Sequence, residues 1–204
     1  MPFASEIEPV SPGIFLWRFY DPSVKAELFS TALETDSGTY LIDPIPTAPD
    51  AMASLASLDK IAGIVVTNEN HERAAAQFAG KFKVPIYMDA ALAGATQLPE
   101  VVPVQENSLP AGLTAVAIEG APTGEIAVHF TANDRTVVIG DALINFEPHG
   151  FALLPAKYCS NFKLMRRSLS QLLDYSFERM LFAHGMPILS HARERLELLL
   201  KEHR

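Results

Sequence analysis

Three short polar clusters contain the side chains of this sequence that are suited to chemistry. They are the segment 67–73 (TNENHER), the pair Gly140 and Asp141, and the pair His184 and Gly185. Their carboxylates and imidazoles are side-chain types that bind divalent metals. Each cluster alone fits a structural role, as a helix start, a turn or a hydrogen-bonded histidine. All three follow apolar runs typical of buried strands, and strand ends hold loop residues rigidly, so together they indicate one site.

Apolar periodicity and turn signals predict the elements that position these clusters. Residues 7–45 alternate β-rich runs with turn residues, which predicts antiparallel strands. Residues 47–88 alternate helix, strand, helix and strand, and we expect the second helix to begin near His71. Further elements are expected as strands at 101–105, 113–119, 125–130, 136–140 and 180–183, a loop at 145–160, and helices at 161–176 and 190–203. This order predicts an α/β (α+β) sandwich of two similar halves, in a single domain over 1–204.

Composition excludes several classes of protein. Of the 204 residues, 49% are hydrophobic and 20% charged, which is enough apolar material for a core and too much for a disordered chain. The net charge of −8, without a basic run, argues against a nucleic-acid partner. The single Cys159 cannot form an internal disulfide. There is no Gly-rich phosphate loop or G-x-S-x-G nucleophile motif.

The sequence also predicts where the protein is located and what it binds. The N-terminus has no basic and apolar leader pattern, and charge or Pro interrupts every apolar run before about 18 residues, so we expect a cytoplasmic protein without a membrane partner. We expect the partner to be a small-molecule substrate or ligand. The apolar-rich composition also leaves room for a homodimer interface.

The ordered set of motifs resembles the metallo-β-lactamase superfamily. The motifs are 39–44 (TYLIDP), 67–73, 120–125 (GAPTGE), Gly140-Asp141 and 183–185 (AHG). That family has T-H-x-H-x-D-H in a strand-to-helix loop, followed in order by G-H, G-D and a final H-G. The resemblance implies an αββα four-layer sandwich and a metal-dependent hydrolase of a small ester, thioester or lactone.

The resemblance also assigns metal-ligand positions, several of which hold other residues here. Asn68 and Asn70 stand at the family's first two His, Ala121 at another ligand His, and Arg73 at a further His. Single-zinc members of the family also have Asn at the first of these positions and Arg at the last. Too few imidazoles remain for the usual two-zinc site.

The remaining positions imply at most one metal. Glu72 stands at the family's Asp, and Asp141 and His184 match its motifs directly. Two carboxylates and one imidazole resemble a facial triad, which favours Zn, Fe or Mn. We therefore predict a single divalent metal at Glu72, Asp141 and His184.

An alternative is a metal-free, catalytically inactive binding protein. The guanidinium of Arg73 cannot deprotonate, and it could pair with Glu72 or Asp141 in place of the metal. The replaced ligand positions favour this alternative, whereas Asp141 and His184 favour an enzyme. Both hypotheses stay open on the sequence.

The other candidate residues receive roles around this centre. His71 lies one residue off the ligand positions, so an exposed or capping place in a first helical turn is favoured over an inward place that replaces a lost imidazole. His149 lies in a loop soon after Asp141 that could reach over the site, and Asn70 or Asn68 could orient a water. The assigned roles are catalysis for Asp141, Asn70 and Arg73, and substrate binding for Asn68, His71 and His149.

Overall fold

A seven-stranded sheet makes up the first half of the chain. The computed structural model describes residues 3–105, 109–110, 112–132 and 135–203. The first four strands pair antiparallel and the later ones parallel, because helices make the crossovers between parallel strands. In sheet order these strands are β1 (Glu8–Ser11), β2 (Ile14–Asp21), β3 (Ala26–Thr35), β4 (Gly38–Ile42), β5 (Ile61–Val65), β6 (Ile86–Asp89) and β7 (Val101–Val104). The helices between them are α1 (Pro49–Ala56), α2 (Ala75–Phe82) and α3 (Ala90–Ala93).

A four-stranded sheet and a hairpin make up the second half. The sheet contains β8 (Leu113–Ala117), β9 (Ile126–Phe130), β10 (Thr136–Ile139) and β13 (Arg179–Phe182), in the order β13-β10-β9-β8. The hairpin is β11 (Leu143–Phe146) with β12 (Gly150–Leu153), and the helices are α4 (Phe162–Leu169) and α5 (Ala192–Glu202). Short 3₁₀ helices span Ala156–Tyr158 and Ser170–Asp174. Among the described residues, no helix has the length and apolar character needed to cross a membrane.

Three apolar cores define the layers of the molecule. The central core joins the inner faces of the two sheets, with Leu33 and Phe130 among its buried members. A second core packs α1 and α2 on the outer face of the large sheet, and Phe78 of α2 is buried in it. A third packs α4 and α5 on the small sheet through Met165 and Leu196. This helix–sheet–sheet–helix order confirms the predicted four-layer sandwich.

Several elements differ from the sequence prediction, and three of these differences concern the site and the two sheets. The second helix begins at Ala75, four residues later than expected from His71. β7 pairs with β6 at the edge of the first sheet, so in the described part of the chain the two sheets have seven and four strands and are less alike than expected. The expected loop 145–160 contains most of the β11–β12 hairpin, whose apolar strands are only four residues each.

Strand pairing brings the three polar clusters together. β10 and β13 are parallel neighbours, so the residues that follow them, Asp141 and His184, emerge side by side. The facing sheet contributes the loop after β5. A Cβ on Gly140 would lie 2.5 Å from Thr67 Oγ1 and 2.9 Å from Glu125 Oε1. Only a residue without a side chain allows the two sheets to approach this closely at the site.

Candidate metal centre

His71, Asp141 and His184 form one compact cluster. Their ligand-type atoms all lie within 4.8 Å of one another. Asp141 Oδ1 is 3.2 Å from His71 Nε2 and 3.2 Å from His184 Nε2. The cluster brings together one residue from each of the three polar segments of the sequence.

A turn in the backbone carries His71 into this cluster. The His71 N–H donates to the Asn68 carbonyl at 3.1 Å, so the chain bends here instead of continuing as a strand or starting a helix. His71 is 1% exposed. The favoured interpretation of His71 as an exposed or capping residue was therefore wrong, because both extended alternation and a first helical turn fail in this loop.

Asp43 fixes the orientation of the His71 ring. Its Oδ2 lies 2.8 Å from His71 Nδ1, and Thr67 donates to Oδ1 through its N–H at 2.8 Å and to Oδ2 through its hydroxyl at 2.6 Å. A carboxylate held in this way accepts the Nδ1 proton and leaves Nε2 directed at Asp141. The sequence motif at 39–44 contains Asp43 without indicating its role, and its place directly after the buried strand β4 is the only local signal for one.

Buried charges shift the pKa values of the cluster. Burial and the Arg73 charge lower the pKa of His71, but the carboxylates of Asp43 and Asp141 outweigh them and raise it to about 9. Burial raises the pKa of Asp141, yet the neighbouring His71 and His184 hold it well below its ordinary value. The pKa of His184 is lowered, chiefly by burial. Without a cation, the cluster at neutral pH therefore combines an ionised Asp141, a protonated His71 and a neutral His184 in a desolvated place, and a metal bound here would displace a proton from His71.

The structure does not bring Glu72 to this cluster. Its Oε1 accepts a hydrogen bond from the Thr96 hydroxyl at 2.5 Å, in the segment that follows α3. Because the turn at 68–71 points His71 inward, the next side chain is directed away from the site. The predicted ligand set of Glu72, Asp141 and His184 is corrected accordingly, with His71 in the place expected for Glu72.

Asn68 and Asn70 form a hydrogen-bonded chain behind the cluster. Asn68 donates through Nδ2 to Glu125 Oε2 at 2.6 Å, and its Oδ1 accepts the Asn70 N–H at 2.9 Å. Asn70 in turn donates through Nδ2 to Asp141 Oδ2 at 3.2 Å. Asn68 is 0% exposed, which contradicts its predicted role in substrate binding. Asn70 lies at the site and lines the adjoining cavity.

Glu125 is a buried acid that the sequence reasoning missed. Its Oε1 accepts the Ala142 N–H at 3.1 Å while Oε2 accepts from Asn68, so it connects the two sheets behind Asp141. Burial and the charge of Asp141 raise its pKa to about 8. The sequence placed Ala121 at a ligand position in the same motif, but Ala121 is packed in the apolar core of the second half. An acid one residue before a buried strand was the only available signal.

Arg73 lies at the edge of the cluster. Its Nη1 donates to the carbonyls of Phe29 at 2.9 Å and Asp43 at 3.3 Å, and its Nη2 is 3.5 Å from His184 Nε2. The expected pairing with Glu72 is contradicted, because that carboxylate is turned toward Thr96. Arg73 instead places a permanent positive charge beside His184.

A cavity of about 910 Å³ opens onto the cluster. His71, Asp141 and His184 line it, together with Asn70 and Arg73. His149 also lines it, and its ring packs against that of Phe146 with centroids 5.7 Å apart. The structure therefore places His149 at the cavity, as the loop position suggested.

Comparison with known proteins agrees with this fold and site. The family model of the metallo-β-lactamase superfamily matches residues 9–202. The chain belongs to the metallo-β-lactamase superfamily. No curated protein sequence matches it.

Solved structures of this superfamily superpose over nearly the whole chain. The DIM-1 metallo-β-lactamase matches with a TM-score of 0.77 at 13% identity, covering 100% of this chain and 99% of that one. A metallo-β-lactamase from Erythrobacter litoralis matches with a TM-score of 0.73 at 14% identity, covering 96% of each chain. A metallo-β-lactamase family protein from Thermus thermophilus matches with a TM-score of 0.67 at 20% identity, covering 96% of this chain and 80% of that one. These likenesses confirm the fold.

The donor atoms of this superfamily member suit a divalent metal. His71 Nε2 is buried and has no hydrogen-bond partner, although Asp141 Oδ1 is only 3.2 Å away. At this distance the two atoms form an ion pair when His71 is protonated, and both could bind one cation when Nε2 has lost its proton. Donor atoms that share a tetrahedral metal with bonds of about 2.0–2.1 Å lie about 3.3–3.4 Å apart, and the two Asp141–histidine separations are both 3.2 Å. Zn, Fe or Mn would suit two imidazoles and one carboxylate.

Proposed function

We propose that this metallo-β-lactamase superfamily member is a hydrolase that uses one divalent metal held by His71, Asp141 and His184. The observation that carries the proposal is the buried, unpartnered Nε2 of His71 beside Asp141 Oδ1. Leaving such a nitrogen without a partner costs about 1–3 kcal/mol, so a ligand there offsets a real penalty. The predicted substrate class is a small ester, thioester or lactone.

The proposed reaction is the hydrolysis of an acyl bond. Water adds to the acyl carbon, the carbon–oxygen or carbon–sulfur bond breaks, and the proton goes to the leaving alcohol or thiol. A divalent cation at these three residues supplies Lewis acidity and an activated water. Asp43 holds the His71 ring, and Asn70 holds Asp141 through Oδ2 so that Oδ1 faces the imidazoles.

Arg73 supplies a fixed positive charge at the edge of the cavity. Its Nη1 is occupied by two backbone carbonyls, which anchors the guanidinium, and Nη2 faces His184. A guanidinium fixed in this way favours a substrate carbonyl or carboxylate that develops negative charge. This is the catalytic role we propose for Arg73.

The residues behind the cluster support a single metal. Asn68 and Glu125 hydrogen-bond to each other at 2.6 Å in the buried space behind Asp141, and both are satisfied by backbone contacts as well. Ala121 contributes no ligand atom. A second cation would have to break this pairing, so the proposal is limited to one metal.

Elemental analysis with matched variants tests the proposal. The full chain is purified without chelators or immobilised metal and assayed for Zn, Fe and Mn, and then for hydrolysis of esters, thioesters and lactones. We expect near-stoichiometric metal that is lost in His71→Ala and Asp141→Ala, because each variant removes a ligand. Glu72→Gln is the control and keeps its metal, since that side chain bonds to Thr96.

The outcomes separate the two ligand sets. Metal that persists in His71→Ala but disappears in Glu72→Gln would contradict the His71 assignment. If the metal-loaded protein hydrolyses none of the three substrate types, that result would contradict the proposal that it is a hydrolase.

The second candidate function is a metal-free binding protein. It is favoured by the Arg73 guanidinium, whose Nη2 lies 3.5 Å from His184 Nε2 and whose charge stabilises the carboxylates of Asp43 and Asp141. An absence of metal above background, even after reloading with Zn, Fe or Mn, would support this candidate and contradict the hydrolase.

A further inference from the structure

One wall of the cavity beside the metal centre is apolar. It is built by the turn after β2, by β3, by the β11–β12 hairpin and by the segment after β12. The residues that form it include Val24, Leu28, Ile144, Phe146, Leu154 and Tyr158. They come from four separate parts of the chain, so the apolar surface is a property of the folded cavity.

The wall runs from the interior to the surface. Leu28 and Ile144 are buried, whereas Val24 is 60% exposed and Tyr158 is 59% exposed. Single exposed apolar residues are common on soluble proteins and need no explanation. Here two of them line the same cavity as the buried Leu28 and Ile144 and as the His71–Asp141–His184 cluster.

The cavity is also larger than the reacting group requires. Its volume of about 910 Å³ is near the upper end of small-molecule pockets, which span about 300–1,000 Å³. The polar residues His71, Asp141 and His184 can contact only the few atoms around a reacting carbonyl. A ligand that fills the cavity would also contact the remaining lining, where the charged Asp21 and Lys157 are accompanied by a larger number of apolar side chains, and an apolar chain matches the apolar wall.

We propose that the substrate is an ester or thioester whose apolar acyl chain packs along this wall, with its carbonyl at the His71–Asp141–His184 cluster. This inference rests on the proposed function for the reaction, and on the cavity lining for the chain. Each methylene that the wall covers strengthens binding by about fourfold.

Binding of linear alkanoates tests the wall without relying on catalysis. The full chain as purified is titrated calorimetrically with butanoate, hexanoate and octanoate, which share one carboxylate and differ only in chain length. We expect affinity to rise by about fourfold per added methylene until the wall is covered. The kcat/KM values for the matching p-nitrophenyl esters should follow the same order.

Two serine variants with matched exposure locate the effect. Val24→Ser removes apolar surface at the cavity mouth, and Leu198→Ser removes it on α5, where the leucine is 59% exposed and outside the cavity lining. We expect Val24→Ser to reduce the octanoate-to-butanoate affinity ratio by about fourfold, as for one lost methylene. Leu198→Ser should leave that ratio unchanged.

The outcomes distinguish this inference from the proposed function. Alkanoate affinity that is independent of chain length, or equal ratios in the two serine variants, would overturn the apolar wall as the acyl site. A kcat/KM that depends on the alcohol chain and not on the acyl chain would also overturn it. Chain-length-dependent binding by a metal-loaded protein that hydrolyses no ester would contradict the proposed function alone.

Discussion

At the scale of single residues, hydrogen bonds from neighbouring side chains orient the candidate metal ligands. Asp43 accepts a hydrogen bond from His71 Nδ1, and this contact orients the ring so that Nε2 faces Asp141. Asn70 does the same for Asp141 by donating to Oδ2. The candidate ligands are thus oriented by residues that do not themselves belong to the cluster. Removal of a supporting contact of this kind typically lowers the affinity of a metal site by about 10–100-fold.

The buried acid Glu125 gives a prediction at this scale. Glu125→Ala leaves the Asn68 amide and the Ala142 N–H without their acceptor, so we expect a loss of about 1–3 kcal/mol in the free energy of unfolding for each donor. Urea denaturation measures the change. Glu119→Ala is the control, since that acid is exposed, and its effect should stay within about 0.5 kcal/mol. Equal losses in the two variants would mean that Glu125 has no stabilising role behind the site.

At the scale of elements, the site depends on how closely strand ends approach. β10 and β13 run parallel, so Asp141 and His184 emerge together, and the loop after β5 meets them from the other sheet. Gly185 likewise allows a close approach, here between the segment after β13 and the backbone of β11. Its φ of 115° and its contact with the Asn145 carbonyl leave no room for a side chain. The helix α2 follows the loop and carries no site residue itself. The geometry of the cluster is therefore a property of strand ends and loops.

Gly140 provides the test of this close approach. Gly140→Ala would place a methyl group 2.5 Å from Thr67 Oγ1, and overpacking of this kind costs about 1–3 kcal/mol. Gly80→Ala in α2 has nothing within 4 Å of the new methyl group and should stabilise the protein by about 0.5–1 kcal/mol. Thermal unfolding of both variants gives the comparison. A harmless Gly140→Ala would show that the two sheets can separate at the site without cost.

At the scale of the whole molecule, the central core holds the two sheets together. It contains residues of both sheets, with Leu33 and Ile42 from one and Phe130 and Leu181 from the other. The site lies at the edge of this same interface. The relative position of its two sides therefore depends on the packing of the sandwich.

Phe130 tests the contribution of that interface. It is 1% exposed, and Phe130→Ala should lower the free energy of unfolding by about 3–5 kcal/mol because it removes a large buried ring and leaves a cavity. Phe3 is 55% exposed, so Phe3→Ala is the matched control and should change stability by about 0.5 kcal/mol or less. Chemical denaturation measures both. Similar values for the two variants would contradict a shared core between the sheets.

Much of the architecture could be predicted from local patterns. The β-rich runs between turn residues at 7–45 predicted β2 to β4, and the short apolar run from Ile61 predicted β5. The C-terminal segment 190–203 was predicted as a helix, which α5 confirms. The β11–β12 hairpin was not predicted because its strands, of four residues each, are too short to show a clear period of apolar residues. The predicted start of α2 was four residues too early because the segment 68–73 is polar and has no apolar period that distinguishes a turn from a first helical turn.

Ordered motifs at strand ends are enough to predict the superfamily, and that resemblance implies the four-layer sandwich and two members of the cluster, Asp141 and His184. The packing of the two sheets was needed to show that His71 joins them and that Glu72 does not. The deciding contacts join residues far apart in the chain: Asp43 with His71, and Asn68 with Glu125. Local periodicity carries no information about such contacts, since they form only when the two sheets pack together.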